Sequence, residues 1–219
     1  MTEQIRSPFL VFSEFLSNKA CETILDSIKV IDPDIDQDGV PMNMERTEAD
    51  SEQIIYQKLK DILPEIEERY TFKSRGIEKI KFQLFPENPK KPARMAGCEN
   101  SQFLRKKWVK IKDVDLTGVI WLKEYQDTVP LDTKFEVYGG KLEFPTYDFS
   151  LVPQRGTLVL FPAYPHFINC ISPVLVSDLY QVKINIAGDN PKGGPWLYHA
   201  DRFGSGGKSF IEAWFKEFL

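Results

Sequence analysis

Histidine is scarce in this sequence, since only His166 and His199 occur among 219 residues. A metal site or a catalytic base built from imidazoles has only these two positions to use. Cysteine is also rare. Cys21, Cys98 and Cys170 are far apart and odd in number, which argues against a disulfide framework and is typical of a reducing compartment.

Long apolar runs and an excess of basic residues are absent as well. Nowhere do about eighteen apolar residues follow one another, so we expect no membrane span and no membrane partner. The first ten residues lack the basic and apolar regions of a signal peptide. A net charge of −4 gives no general attraction to nucleic acid or to an anionic surface. Together these features predict a cytoplasmic protein.

The residues that are present predict a mainly β protein with flanking helices (α+β). Ser17 or Asn18 caps a helix that we expect to run to about Ile31. Asp50 opens a second helix, which Pro64 should kink or restart. Short strands separated by Gly, Pro and Asp indicate a sandwich or jelly roll; they are predicted at residues 9–12, 80–84, 116–122, 135–138, 141–144, 157–161, 167–171 and 179–187.

Two regions are expected along the chain. Residues 1–190 form the jelly-roll domain with its N-terminal helices. Residues 191–219 form an extension rich in aromatic residues, in which Ser209 and Glu212 make a capping box for a short helix. Apolar surface of this kind is usually covered by the same subunit or by a neighbour. We therefore expect other protein subunits to bind through this extension.

Four segments in the second half of the roll carry a family resemblance. They are residues 138–144 (Tyr-Gly-Gly-Lys-Leu-Glu-Phe), 153–162 (Pro-Gln-Arg-Gly-Thr-Leu-Val-Leu-Phe-Pro), 165–166 (Pro-His) and 173–176 (Pro-Val-Leu-Val). This pattern resembles the prolyl 4-hydroxylase-like members of the 2-oxoglutarate/Fe(II) oxygenase superfamily, and residues 153–169 are most similar to phage-encoded members. The resemblance covers about residues 8–188 and implies a double-stranded β-helix (jelly roll).

The resemblance also implies a site for iron and 2-oxoglutarate. In that family a His-x-Asp pair and a distal histidine hold Fe(II), and a basic side chain pairs with the far carboxylate of 2-oxoglutarate. His166 matches the distal ligand, although its distance in sequence from Pro173 is about three residues longer than usual. Glu99 matches the carboxylate, whereas Gly97 stands where the first histidine belongs.

The family's position for the basic side chain falls on Leu179, and only Lys183 further along that strand offers a replacement. Each matching residue also has a structural interpretation. His166 is as well explained by a hydrogen-bonded histidine of the core or rim, and Glu99 by a solvated loop carboxylate. His199 and Asp201 form a second His-x-Asp, which either completes a metal site with His166 or lies in a surface turn.

A basic stretch precedes the central strands, with Phe103 and Trp108 interleaved among its cations: Lys90, Lys91, Arg94, Arg105, Lys106, Lys107, Lys110 and Lys112. Basic residues mixed with aromatic ones occur in nucleic-acid sites. Such stretches are more often solvated or dock a protein. We rank nucleic acid below protein contact.

Two functions compete on this evidence. The sequence favours an oxygenase-fold protein with a degenerate site, acting as a structural or interaction protein, for example as a phage virion component. It then needs no cofactor and is found in the host cytoplasm or the virion. The alternative is an active 2-oxoglutarate/Fe(II)-dependent hydroxylase that acts on a protein side chain or a nucleotide, with Fe(II) and 2-oxoglutarate as cofactors.

Overall fold

The computed structural model describes residues 7–30, 42–46, 49–78 and 80–189. The predicted C-terminal helix, His199 and Asp201 lie outside these residues. The helices are α1 (Asn18–Ser27) and α2 (Ala49–Tyr70), with a 3-10 helix at Pro165–Phe167. The strands are β1 (Leu10–Phe12), β2 (Ile28–Val30), β3 (Met42–Arg46), β4 (Lys73–Ile77), β5 (Lys81–Phe85), β6 (Arg94–Gly97), β7 (Ser101–Leu104), β8 (Lys107–Lys110), β9 (Leu116–Trp121), β10 (Glu124–Tyr125), β11 (Glu136–Gly139), β12 (Leu142–Phe144), β13 (Phe149–Leu151), β14 (Leu158–Pro162), β15 (Asn169–Ile171), β16 (Val174–Val176) and β17 (Leu179–Asp189).

The strands form a roll with a large and a small sheet, while β10, β11 and β16 form a separate three-stranded sheet and β7 and β8 a hairpin. The large sheet has the order β1-β14-β9-β17-β5-β3-β2, and β4 also pairs with β17. The small sheet has the order β13-β12-β15-β6. The strand pairs within both sheets are antiparallel. This architecture confirms the jelly roll expected from the short, regularly interrupted strands.

Each face of the large sheet buries a different apolar cluster. The outer face packs on the helices, where Ile184 of β17 joins Ile24 of α1 and Leu59 of α2. The inner face encloses the second cluster, in which Leu179 of β17 joins Phe144 and Phe161. Because side chains alternate along a strand, β17 contributes Val182, Ile184 and Ile186 to the outer cluster and turns residues 179, 181, 183 and 185 into the roll.

Some predicted boundaries were wrong. The first helix ends at Ser27 and not near Ile31, because residues 28–30 pair with β3 instead. The second helix does not restart at Pro64 but continues to Tyr70. The hydroxyl of Tyr70 lies 2.9 Å from the carbonyl oxygens of both Pro8 and Leu160, and its one hydrogen bond to either of them ties the last turn to the large sheet. The strand expected at residues 167–171 begins only at Asn169, since a 3-10 helix precedes it.

No helix within the described ranges is both long enough and apolar enough to cross a bilayer.

Gly156 fixes the turn that starts β14, and its replacement by alanine should be costly. Its φ is +76°, and a Cβ there would lie 2.1 Å from the carbonyl oxygen of Leu16. We expect Gly156→Ala to lower the free energy of unfolding by about 3 kcal/mol, measured by urea denaturation. Gly97→Ala is the matched control, because a Cβ at Gly97 would have no neighbour within 4 Å. Equal stability of the two variants would show that this turn adapts.

Candidate functional site

Beyond Leu179, the inner face of β17 carries buried polar side chains beside the apolar cluster of the roll. Gln181, Lys183 and Asn185 are at most 6% exposed, and Gln181 donates from Nε2 to Oε1 of Gln83 on β5 at 3.0 Å. Polar side chains are rarely buried this deeply without a structural or chemical role. This polar face of β17 is therefore the candidate functional site.

At its centre lies an ion triad formed by Glu99, Arg94 and Lys183, here called the Glu99 triad. The ammonium of Lys183 contacts Oε1 of Glu99, and Nη2 of Arg94 lies 3.6 Å from the same oxygen. The side chain of Lys183 is 7% exposed, and those of Glu99 and Arg94 are each 14% exposed. Arg94 begins β6 and Glu99 follows that strand, so the triad joins the small sheet to the large one.

Positive charge exceeds negative charge around Glu99. Burial alone would raise the pKa of its carboxyl group, but attraction to Lys183, Arg94 and Lys112 outweighs burial and holds the pKa below its ordinary value. Burial, together with the nearby charges of Arg94 and Lys81, lowers the pKa of Lys183 to about 8 despite the contact with Glu99. The triad is therefore a buried carboxylate held among several cations.

The strand register places Asn169, and not His166, next to the position of the missing first histidine. Asn169 of β15 is the antiparallel partner of Gly97 of β6. It is 2% exposed, and its Nδ2 donates to the carbonyl of Phe167 at 3.0 Å. The stretch between His166 and Pro173 is about three residues longer than in the family, and Asn169 lies the same number of positions after His166. This extra length is the sequence signal that Asn169 occupies the distal ligand position, and the sequence prediction did not use it.

His166 itself lies in the 3-10 helix that precedes β15. Its Nδ1 atom is buried and has no hydrogen-bond partner among the residues that the structure describes. The hydrogen-bonded histidine that we considered as the structural interpretation is therefore not seen at this nitrogen. A role for His166 as a metal ligand stays a prediction.

The position predicted for the 2-oxoglutarate clamp is apolar. Leu179 is fully buried in the inner cluster, and its Cδ2 lies 2.9 Å from where a Cβ on Gly140 would be. The aliphatic side chain of Leu179 cannot supply the positive charge that would pair with 2-oxoglutarate. Lys183 lies four residues further along β17 and is already paired with Glu99. Its role as a clamp stays a prediction.

These residues do not fit the iron site that the resemblance implies. Fe(II) in such a site needs two imidazoles and a carboxylate that converge on one point. Gly97 offers no donor atom, Asn169 offers an amide, and the carboxylate of Glu99 is engaged by two cations. Over residues 7–30, 42–46, 49–78 and 80–189, no group of three His, Cys, Asp or Glu side chains lies close enough to hold a metal ion. Completion of a site by His199 and Asp201 stays a prediction, since both lie outside these ranges.

Part of the basic stretch forms a hairpin of β7 and β8. Arg105 and Lys106 make its turn, both with positive φ angles, as a two-residue hairpin turn of type I′ requires. Phe103 and Trp108 face each other across the strands, with ring centroids 5.4 Å apart. Their side chains are 58% and 38% exposed. The hairpin therefore presents an aromatic pair flanked by cations to solvent.

Comparisons with known proteins agree with this architecture. No family model and no curated protein matches the chain. Among solved structures, the 2-oxoglutarate complex of a viral collagen prolyl hydroxylase from Paramecium Bursaria Chlorella virus-1 is similar, with a TM-score of 0.60 and 14% identity over 84% of this chain and 97% of that one. A Pseudomonas putida prolyl-4-hydroxylase gives a TM-score of 0.57 with 12% identity, over 84% of this chain and 94% of that one.

A third similar structure is a prolyl hydroxylase from Trichoplax adhaerens in complex with a peptide fragment of the oxygen degradation domain of hypoxia inducible factor. Its TM-score is 0.57 with 10% identity, over 82% of this chain and 83% of that one. The chain thus has the fold of the prolyl hydroxylases, as the sequence resemblance implied. Fold alone does not assign the chemistry, which depends on the residues of the site.

Proposed function

We propose that this protein is an interaction scaffold that keeps the prolyl hydroxylase fold and has replaced the iron site by the Glu99 triad. The observation that carries this proposal is the contact between Lys183 and Glu99 inside the roll. An ammonium on the only carboxylate of the expected ligand set supplies the positive charge that a metal would otherwise supply. The same contact occupies the side chain that we considered as a clamp for 2-oxoglutarate.

The apolar surface of the hairpin supports the interaction part of this proposal. Phe103, Leu104, Trp108 and Ile111 are between 38% and 58% exposed. Apolar side chains grouped in this way mark contact surfaces, and the flanking Arg105, Lys106 and Lys107 favour an acidic partner. We infer that an acidic protein surface docks on this hairpin.

The C-terminal extension is proposed as a second attachment element, for binding other subunits in a phage virion or in the host cytoplasm. It lies outside the described residues, so this part of the proposal rests on its sequence. Its seven aromatic residues are Trp196, Tyr198, Phe203, Phe210, Trp214, Phe215 and Phe218.

The second candidate function is a 2-oxoglutarate/Fe(II)-dependent hydroxylase with an unorthodox ligand set. One observation favours it, namely the buried Nδ1 of His166 without a hydrogen-bond partner in the described part of the chain. In this version Glu99 and His166 bind the metal, His199 and Asp201 complete the site, and Lys183 leaves Glu99 to pair with 2-oxoglutarate.

Turnover of 2-oxoglutarate separates the two functions. Purified full-length protein is incubated with Fe(II), ascorbate, oxygen and 2-oxoglutarate, and succinate is quantified by mass spectrometry. We expect no more succinate than in the same mixture with Glu99→Gln or His166→Ala, because Leu179 and the paired Lys183 leave 2-oxoglutarate without a charge partner. Succinate that wild type forms and both variants lose would establish the hydroxylase.

A further inference from the structure

A cleft of about 560 Å³ lies outside the Glu99 triad. The cleft is bounded by the end of α1 and by the turn between β16 and β17. Leu25, Ile28 and Val176 form a half-buried apolar wall, and Lys123, Ser177 and Tyr180 form a polar one. Its volume falls within the usual range for small-molecule sites, roughly 300–1,000 Å³. None of the residues of the Glu99 triad lines this cleft.

Lys123 is a buried cation without a direct counter-ion. It is 3% exposed, and its Nζ donates to the carbonyl of Thr133 at 2.6 Å and to Oγ of Ser177 at 2.8 Å. The ring centroid of Tyr180 lies 5.0 Å from the same atom. Within the described part of the chain, Lys123 makes no ion pair within 4.0 Å. A buried ammonium in this situation is costly unless an anion joins it.

The other charged side chains described along the cleft already have hydrogen-bond or ion-pair partners. Glu87 accepts from the backbone N–H of Ser177 at 3.0 Å, and Asp178 accepts from the backbone N–H of Glu87 at 2.9 Å. Lys134 pairs with Asp26 at 2.8 Å. The hydrogen bond from its backbone N–H to Glu87 helps to hold Ser177 at a φ of +66°, a strained conformation that persists only when its surroundings fix it.

The electrostatics of Lys123 agree with this geometry. Burial lowers the pKa of its ammonium to about 8, and the more distant carboxylates of Asp178 and Asp132 offset burial only in part. A bound anion would give the ammonium of Lys123 a direct counter-ion.

We propose that this cleft binds a small organic acid, with its carboxylate accepting a hydrogen bond from the third N–H of the Lys123 ammonium, whose other two go to Thr133 and Ser177. A carboxylate there would form a charge-assisted hydrogen bond, which is stronger than a neutral one. The apolar wall of Leu25, Ile28 and Val176 takes a short aliphatic body. This site is independent of the proposed scaffold function and of any metal chemistry.

The test uses hexanoate as the probe, with the full-length protein and calorimetry as the readout. Wild type should bind hexanoate, and Lys123→Met should weaken binding by about tenfold or more, because a charge-assisted hydrogen bond is lost. Lys73→Met is the matched control, since it removes an exposed cation that already pairs with Glu67 and does not line the cleft. It should leave the affinity nearly unchanged, and hexan-1-ol should bind about as weakly to wild type as hexanoate does to Lys123→Met.

Lys123→Met is expected to fold, because the carbonyl of Thr133 also accepts from the hydroxyl of Ser177 at 2.8 Å. As a second measurement on wild type, the NMR resonances of the Lys123 side chain should shift on addition of hexanoate. Three results would overturn the proposal: no binding of hexanoate to wild type with unshifted Lys123 resonances, equal binding by Lys123→Met, or equal binding of inorganic phosphate and hexanoate. The last would identify a general anion site without selectivity for an organic acid.

Discussion

Glu99→Gln is expected to lower the free energy of unfolding by about 3–5 kcal/mol, the usual cost of breaking a buried ion pair from one side. The reason is the charge balance of the site. Lys183 and Arg94 both face this carboxylate, and removal of its charge leaves two buried cations close together. Urea denaturation followed by tryptophan fluorescence measures the change.

Lys183→Met should cost less than Glu99→Gln, although it breaks the same contact. Glu99 would keep Arg94 as a partner, and the repulsion of Lys183 by Arg94 and Lys81 would disappear. In the double variant Glu99→Gln/Lys183→Met both members of the pair become neutral. We therefore expect it to recover at least half of the stability lost in Glu99→Gln, which a double-mutant cycle detects.

The exposed pair of Asp26 and Lys134 provides the control. Its side chains are 62% and 53% exposed, so Asp26→Asn should change stability by less than about 1 kcal/mol. If Glu99→Gln instead raised the free energy of unfolding, the structural role of Glu99 would be contradicted, because functional sites often retain charged groups that reduce stability. In that case Glu99 is an active ligand and not a structural anion.

The fold was accessible from the sequence because its signals are local. Alternating apolar residues marked β5, short segments bounded by Gly, Pro and Asp marked β9 and β17, and the Gly-Gly and Pro-x-x-Gly segments marked turns that favour glycine. Gly139 shows why, since it has a φ of +88° and a Cβ on it would lie 2.3 Å from the carbonyl oxygen of Pro173. The helix end at Ser27 was missed, because pairing of residues 28–30 with β3 is a long-range effect that helix periodicity does not reveal.

The site was only partly accessible from the sequence. Glu99, His166 and Lys183 were singled out, but their partners depend on strand register. Pairing between Lys183 and Glu99 joins residues far apart in the chain, and Arg94 had been grouped with a solvated basic stretch although its side chain is 14% exposed. Asn169 carries no chemical signal by residue type. The extra spacing between His166 and Pro173 pointed to its position, and the pairing of Asn169 with Gly97 explains that signal.

The second large effect is expected from rebuilding the metal site in the register that the structure defines. Gly97→His and Asn169→His place two imidazoles on paired strand positions, and Lys183→Met removes the ammonium from Glu99. Gly97 has open space for a side chain. We expect the triple variant to bind Fe(II) about 100-fold more tightly than wild type, since metal affinity depends steeply on ligand number and support.

Two further variants decide between Asn169 and His166 as the distal position. His166→Ala added to the triple variant should leave its Fe(II) affinity nearly unchanged. Gly97→His/Lys183→Met, which keeps Asn169, should gain little affinity. If this double variant binds as tightly as the triple variant and loses the metal on His166→Ala, then His166 is the distal ligand and the strand register is a misleading guide.

Titration of the wild-type protein with Fe(II) tests the central claim most directly. The experiment is done by calorimetry under anaerobic conditions on full-length protein, so that His199 and Asp201 are present. If Lys183 has replaced the metal at Glu99, binding should be no tighter than about 1 mM. Micromolar binding of Fe(II) that disappears in Glu99→Gln would contradict this account and identify a functional metal site.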